Sequence, residues 1–394
     1  MDFSAFIDGN EARELLCDLV RIDSTCPGLV PDGAGELEIA RFVAAWLARE
    51  GFPAEVIELG GTRANVIGRL TGSGEAGGRR LMLNGHLDTV GAEGMRIEPF
   101  NPKVEGDRVY GLGAFDMKSG IVAALLAMKA IKRSGVKLKG EILFTGVADE
   151  EYLSIGTEDV AKRYTADGAI VCEPSGGTIE ATHKGFVWLE VTVTGKAAHG
   201  SMPRDGVDAI VQAAKFLVAM DEFEKNVLFK RPHHPLLTPP SLHASLIEGG
   251  KELSTYPDFC KISLERRTVP GETAESCRAE IVALIEALAA KDPNFQAECV
   301  VTFERKPLEF LENSPVFQLL SRLIRERTGR EPVLIGGTGW CDTAILQDAG
   351  IPSLVYGPAG DGAHAAVEYA GLASISEAAA VLAACAAEFC GTEA

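Results

Sequence analysis

Two hydrophobic rhythms run along this chain, and the change from one to the other divides it. Over residues 36–50 apolar side chains recur near helical spacing (Ile39, Phe42, Val43, Trp46, Leu47) and Gly51 supplies a stop signal, which predicts a helix. The stretch MDFSAFIDGNEARELLCDLVRIDS before it reads as an earlier helix. A strand is predicted at 64–69, then a short apolar run at 81–83 that ends in Asn84-Gly85-His86. A helix follows at 119–132, with Ile121, Leu125, Met128 and Ile131 on one face, and continuous apolar runs at 141–147 and 169–172 read as buried strands. Strands alternating with helices predict an α/β domain with a largely parallel sheet.

Near Thr182 the rhythm shortens. Val187, Leu189, Val191 and Val193 alternate with more polar neighbours, the period of a sheet with one buried face. A helix over 207–220 is predicted to bury Val207, Ile210, Val211, Ala214 and Leu217. A proline-rich stretch (Pro232, Pro235, Pro239, Pro240), strands near Ser245 and at 261–266, a helix at 277–289 and a strand at 298–303 complete an α+β unit. From about Pro307 the first rhythm resumes, with a helix at 316–328, an apolar segment at 351–356 and a last helix from Ser374. The expected organisation is a domain made of residues 1–181 and 307–394, interrupted by an inserted domain of residues 182–306.

Composition narrows the class. A chain of 394 residues, 46% apolar and 24% charged, can bury a sizeable core. Its net charge of −18 argues against nucleic acid or an anionic membrane as partner, since both need clustered Lys and Arg. Nine cysteines without a C-x-x-C pair indicate neither a disulfide framework nor a Cys-type zinc finger, and point to a reducing, cytoplasmic setting. The acidic N-terminus does not suit a signal peptide, and no uninterrupted apolar run of about 18 residues predicts a membrane span.

The chemistry lies where acids and imidazoles meet the ends of apolar strands, because open α/β sheets place their sites at the strands' carboxyl ends. His86 and Asp88 follow one strand, Glu150 and Glu151 a second, and Glu173 a third, while Asp116 lies in a glycine-rich turn and His364 in the loop 357–365. Each has an ordinary reading alone; Asp116, for instance, could cap the helix that follows it. Together they are too many anions for one site unless a cation balances them. Two divalent ions would balance Asp116, Glu150, Glu151 and Glu173, and a mixed His/carboxylate set without thiolate suits zinc, with cobalt or manganese as substitutes. Asp88 could orient the His86 imidazole. In the adjacent pair Glu150–Glu151, one carboxylate could ligate while the other moves a proton. Gly111-x-Gly113 lacks the third glycine of a dinucleotide loop, and Gly336-Gly-Thr-Gly339 lacks the lysine of a phosphate loop.

The runs NGHLDTV (84–90), GLGAFDMKSG (111–120), ADEE (148–151), CEP (172–174), GKAAHGSMP (195–203), LERRTVPGE (264–272) and GPAGDGAHAAVEY (357–369) resemble the di-zinc hydrolases. That family includes acetylornithine deacetylase, succinyl-diaminopimelate desuccinylase, aminoacylase and carboxypeptidase G. The resemblance implies a zinc-peptidase-like catalytic domain with a mixed, largely parallel sheet flanked by helices, and an inserted α+β lid through which the chain forms a homodimer. It implies His86 and Glu173 on one zinc, Glu151 and His364 on the other, Asp116 bridging both, and a cis peptide after Asp116. Glu150 would be the acid/base that activates a water held between the metals. His199 would enter the partner subunit's active site and stabilise the tetrahedral intermediate, and Arg267 would grip the substrate carboxylate.

Two positions depart from the family pattern: Glu265 stands where an Asp is usual, and Ser254 where many relatives have an Asn that contacts substrate. The expected activity is hydrolysis of the amide bond of an N-acyl amino acid, a small molecule with a free carboxylate. A carboxypeptidase or dipeptidase of the same family is the alternative within enzymes, and a catalytically silent metal- or amino-acid-binding relative the alternative outside them.

Overall fold

The computed structural model of the protein describes residues 1–393 and divides them into two compact units. One unit comprises Met1–Ala181, Phe310–Ile335 and the chain from Cys341 onward; the other comprises Thr182–Glu309 and Gly336–Trp340.

Among the described residues eight strands form one mixed sheet. Its order is Ala54–Gly60, Arg63–Thr71, Glu141–Val147, Arg80–His86, Gly168–Val171, Ser353–Val355, Ile179–His183 and Leu334–Gly337. The four central strands, from Glu141–Val147 to Ser353–Val355, are parallel, and Arg63–Thr71 and Ala54–Gly60 join antiparallel. The central strands are buried on both faces, which is why their sequences are continuous apolar runs without alternation.

Helices cover the sheet as the periodicity predicts, with ends set by local chemistry. The Asp8 carboxylate accepts the Asn10 N–H and caps the helix Gly9–Arg21, and Gly135, at φ 76°, ends the helix Ser119–Ser134. That helix packs against the last one, Leu372–Cys390. By length and composition alone Leu372–Cys390 could cross a membrane, although it holds no uninterrupted apolar run of that length. Most of it is instead core, with Ile375, Val381, Leu382 and Phe389 buried beside Leu125 and Phe144.

The second unit has a four-stranded antiparallel sheet, ordered Ser241–Gly249, Phe259–Thr268, Gly185–Thr194, Gln296–Arg305. Val187, Leu189, Val191, Ile262 and Leu264 face the helices Ala209–Asn226 and Ala274–Ala289 and form the core with Phe216 and Ile281. Here one expectation is overturned. The stripe that the helix Ala209–Asn226 buries is Ala209, Ala213, Phe216 and Met220, while Ile210, Val211 and Ala214 are exposed and Leu217 is only half-buried. The helix has two apolar faces, and the larger Phe216 and Met220 side chains win the core.

The sequence reading missed the strand Ala54–Gly60, the helix Ile155–Arg163 and several shorter elements. The strands Lys103–Glu105, Arg108–Tyr110, Gly360–Asp361 and Tyr369–Gly371 form a small sheet, and none is long enough to show a period.

The helix Ser119–Ser134 meets the sheet at Gly120, where an added Cβ would lie 1.8 Å from the Cys172 carbonyl oxygen, immediately before Glu173. Gly120→Ala should therefore destabilise the fold by roughly 1–3 kcal/mol, the usual cost of overpacking. Gly9→Ala, whose Cβ would meet nothing nearer than 3.9 Å, should cost much less. Urea unfolding midpoints check the pair, and equal midpoints would refute this account of the helix–strand contact.

Candidate metal centre

Three parallel strands bring their carboxyl ends to one rim. His86 is the last residue of its strand and pairs with Val147, so Glu150 and Glu151 begin their turn beside it. On the other flank Asn84 pairs with Val171, which places Glu173 two residues beyond that strand. The loop carrying Asp116 and the loop carrying His364 complete the group.

The geometry is close. His86 Nε2 lies 3.1 Å from Asp116 Oδ1 and 3.4 Å from Glu173 Oε1. His364 Nε2 lies 3.0 Å from Glu151 Oε2 and 3.5 Å from Asp116 Oδ2. The Asp116 carboxylate thus stands between the two imidazoles with one oxygen toward each. His86, Asp116 and Glu151 offer one set of donor atoms within 4.8 Å of one another, and His86, Glu150 and Glu173 offer a second. The Asp116–Met117 peptide is cis, as the resemblance implies.

Asp88 works differently from its expected role. The nearest partner of His86 Nδ1 is the Asp88 main-chain oxygen at 2.9 Å; the carboxylate is 3.6 Å away. That carboxylate accepts the N–H groups of Glu150 and Glu151 instead, at 3.2 and 3.1 Å. The same turn is held from behind by a buried ion-pair group not singled out in the sequence: Arg63 binds Glu36 at 2.8 Å and Asp149 at 2.6 Å, and Asp149 adopts φ 71°. Asn65 adds to this, donating to the Gly156 carbonyl and accepting the Ala148 N–H.

The charges are mutually dependent. Burial pushes Glu150 and Glu173 well above the carboxylate range against the pull of His86, and neighbouring carboxylates push them further. Burial disfavours a charged His86, but Glu173, Asp116 and Asp88 outweigh it and raise its pKa. The hydrogen bond to Glu151 raises His364. Burial would raise Asp116, yet the two imidazoles hold it below its ordinary value. A cluster in which burial works against the carboxylate anions while the imidazoles favour them fits divalent cations, which supply positive charge in fixed form.

Glu368 is a further residue the sequence reading did not identify. Its buried carboxylate accepts the N–H groups of Gly113, Phe115 and Asp116 at 2.8, 2.8 and 3.0 Å. It lies four residues after His364, so one side chain ties the loop of His364 to the loop of Asp116. No pattern in the sequence marks it, since its partners lie more than 250 positions away.

His199 and Arg267 belong to the second unit. His199 is exposed, and its Nδ1 accepts from the Ser201 N–H at 3.2 Å and lies 2.8 Å from the Ser201 hydroxyl, an arrangement that leaves Nε2 to carry the proton of a neutral ring. Ser254 contributes its carbonyl oxygen to the Gly200 N–H. Arg267 Nε donates to Glu265 at 2.6 Å.

A mixed α/β sheet with carboxylates and imidazoles converging at its parallel strand ends defines a metallohydrolase-type fold and site. The chain belongs to peptidase family M20/M25/M40, whose family model matches residues 82–388. It is therefore a hydrolase of the metallopeptidase class acting on amide bonds. It is 26% identical over 377 residues to an N-formyl-4-amino-5-aminomethyl-2-methylpyrimidine deformylase of Bacillus subtilis, covering 88% of each chain. It is 28% identical over 389 residues to the acetylornithine deacetylase of Myxococcus xanthus, covering 96% of this chain and 97% of that one. Among solved structures, aminopeptidase PepT of Bacillus cereus superposes with TM-score 0.77 at 22% identity, over 96% of this chain and 98% of that one. The YXEP protein of Bacillus subtilis, a dinuclear metal binding peptidase of the same family, superposes with TM-score 0.73 at 17% identity, over 97% and 98%.

Removing one carboxylate from the Glu368 clamp should loosen the donor set without deleting a donor. Glu368→Gln is expected to weaken metal binding by about 10–100-fold, the usual effect of losing an outer partner of a ligand. Calorimetric titration of metal into the chelated protein measures this. Unchanged affinity would show that the clamp does not control the site.

Proposed function

We propose that the protein is a zinc-dependent deacylase that hydrolyses the amide bond of N-acyl amino acids. The observation that carries this reading is the Asp116 carboxylate with one oxygen toward each imidazole, beside a half-buried Glu150 whose side chain makes no hydrogen bond among the described residues. Such an arrangement suits two ions and leaves one carboxylate free for proton transfer. In this reading His86, Glu173, Asp116, Glu151 and His364 would hold two zinc ions, with cobalt or manganese able to take their place. When bound, the ions supply Lewis-acid chemistry, acidifying water and polarising the scissile carbonyl.

The residues of the chain do the rest. Glu150 accepts the proton of the attacking water and returns it to the leaving amine nitrogen, a role favoured by a carboxyl whose burial raises its proton affinity. Asp88 holds the turn that presents Glu150 and Glu151 through their backbone N–H groups. His199, with its proton on Nε2, is suited to donate to the developing oxyanion, and Arg267 to bind the carboxylate of the substrate. Deacylation is preferred over peptide cleavage because the deformylase and the deacetylase both span nearly the whole chain and both remove an acyl group from nitrogen.

The second unit is proposed to form a homodimer. The strand Ser241–Gly249 is an edge of its sheet, and there Leu246 and Ile247 are exposed, at 70% and 57%. The adjacent helix exposes Ile210, Val211 and Val218. An open strand edge next to an apolar helix face is a surface that a second copy can cover by isologous pairing.

Metal content and hydrolysis of a panel of N-acetyl, N-formyl and N-succinyl amino acids and dipeptides test the reading. Chelation should abolish activity and zinc or cobalt should restore it; a metal-free, fully active protein would refute it, and cleavage of dipeptides alone would replace the deacylase by a peptidase. Glu150→Ala should lower kcat by about 10²–10⁴-fold with metal content retained, whereas Glu151→Ala should lose metal. The opposite pattern reverses the roles within the pair.

For the dimer, Val218→Asp combined with Leu246→Lys should sediment as a monomer. Should His199 serve the partner's site, mixing His199→Ala with Glu150→Ala would restore up to about a quarter of wild-type activity after random subunit exchange. No recovery after verified exchange would place His199 in its own subunit's chemistry or outside catalysis.

A further inference from the structure

The sheet of the second unit has a face turned away from its helices, and at one end of that face the side chains are aromatic and cationic. Phe186 and Trp188 alternate with the buried Val187 and Leu189. Across the neighbouring strands Phe186 is flanked by Arg267 and Arg305, and Trp188 by Glu265 and Phe303. The rings lie against one another, with centroids 5.4 Å apart for Phe186–Trp188, 5.1 Å for Trp188–Phe303 and 5.9 Å for Phe186–Phe303, and Trp340 stands edge-on to Phe186 at 6.1 Å. All four rings are half-buried. Farther along the same strands the face is polar, with Glu190 paired to Lys261.

Arg267 sits at the edge of this platform and is held in one orientation. Its Nε donates to Glu265 Oε1 at 2.6 Å, and the other oxygen of Glu265 accepts the Trp188 indole N–H at 3.1 Å. Glutamate is one methylene longer than the aspartate usual at this position, and here it reaches both partners. The Arg267 guanidinium lies over the Phe186 ring at 5.2 Å, and its two terminal nitrogens have no hydrogen-bond partner among the described residues. A guanidinium fixed through Nε, stacked on a ring and open at both Nη groups is a fork for a carboxylate.

We propose that this face is a specificity site for carboxylates bearing a flat aromatic group. The carboxylate takes the Arg267 fork while the ring of an aromatic side chain or acyl group stacks on Trp188 and meets the edges of Phe186 and Phe303, over which the Arg267 and Arg305 guanidiniums lie. The proposal rests on the reading that Arg267 binds the substrate carboxylate and adds what lies next to it. Trp188 and Glu265 are then positioning residues for Arg267, and Phe303 a determinant of ring preference.

Ligands without a scissile amide separate this site from the hydrolysis reading. Binding of 3-phenylpropanoate, butanoate and neutral 3-phenylpropanamide to the metal-loaded protein is measured by calorimetry. Tryptophan emission gives a second readout, since two of the three tryptophans lie on the platform and the third, Trp46, is in the core. Wild type should bind 3-phenylpropanoate about tenfold more tightly than butanoate, the order expected of aromatic stacking, and should bind the amide weakly.

Phe303→Leu should erase the preference for the ring while leaving butanoate binding unchanged. Trp188→Leu should weaken both carboxylates, and Trp188→Phe should restore the ring preference without restoring the lost carboxylate affinity. Equal wild-type affinity for the two carboxylates would overturn the proposal. So would a preference that survives Phe303→Leu and Trp188→Leu while melting temperature falls, which would mark the rings as packing. If 3-phenylpropanoate binds as expected but no N-acyl amino acid is hydrolysed, the deacylase reading fails and this site stands.

Discussion

Everything at the rim of the large sheet follows from one electrostatic constraint: four carboxylates and two imidazoles are held within a few ångströms of one another, largely out of water. In such a place like charges raise each other's pKa and burial adds to the cost, so the arrangement is unfavourable unless positive charge is supplied. The protein spends structure on preventing the obvious escape, which is for the loops to relax apart. Parallel strands fix the points of departure of His86, Glu150, Glu151 and Glu173. Asp88 pins two of them by their backbone N–H groups, Arg63 anchors the turn from behind, and Glu368 draws the Asp116 and His364 loops together.

That division of labour explains what could be read in the sequence. A two-sided buried strand leaves a continuous apolar run, and an acid or histidine directly after such a run is visible without any structure. His86, Glu150, Glu151 and Glu173 were legible for that reason. Asp116 and His364 lie in irregular loops, and the glycines around them, together with the family resemblance, marked them. Glu368, Arg63 and Glu36 were not legible, because a buried ion pair or a carboxylate bound to backbone N–H groups leaves no periodic trace; its partners lie 27 to 255 positions away. The Asp88 case is subtler. The residue was found, but spacing alone cannot tell whether its carboxylate or its main chain meets the imidazole.

The second unit shows the opposite limit of pattern reading. Strand alternation identified its sheet correctly, because only one face is covered by helices. The helix Ala209–Asn226 defeated the same logic, since two of its faces are apolar and periodicity does not say which is the core. Size decides that: Phe216 and Met220 fill the space over the sheet, and Ile210, Val211 and Val218 are left outside. Apolar residues on an exposed face, next to an unpaired strand edge, carry a cost in solubility unless something covers them. The misread stripe is thus the feature on which the proposed homodimer rests.

The proposed function separates chemistry from choice. A cluster of carboxylates and imidazoles that activates water and polarises a carbonyl acts on the amide itself and is indifferent to what flanks it, so it cannot distinguish one acyl amino acid from another. Discrimination has to come from groups that meet the rest of the molecule. A permanently charged fork requires a carboxylate, because a neutral analogue leaves the guanidinium unsatisfied, and a ring platform rewards a flat apolar neighbour. In this chain the longer Glu265 connects the two requirements physically, holding Arg267 with one oxygen and the Trp188 indole with the other. Shortening that side chain would uncouple them, since an aspartate that still reached the arginine would lose the indole. In the proposed site, recognition of the charge and recognition of the ring would therefore both depend on Glu265, at the position where this sequence departs from its family's pattern.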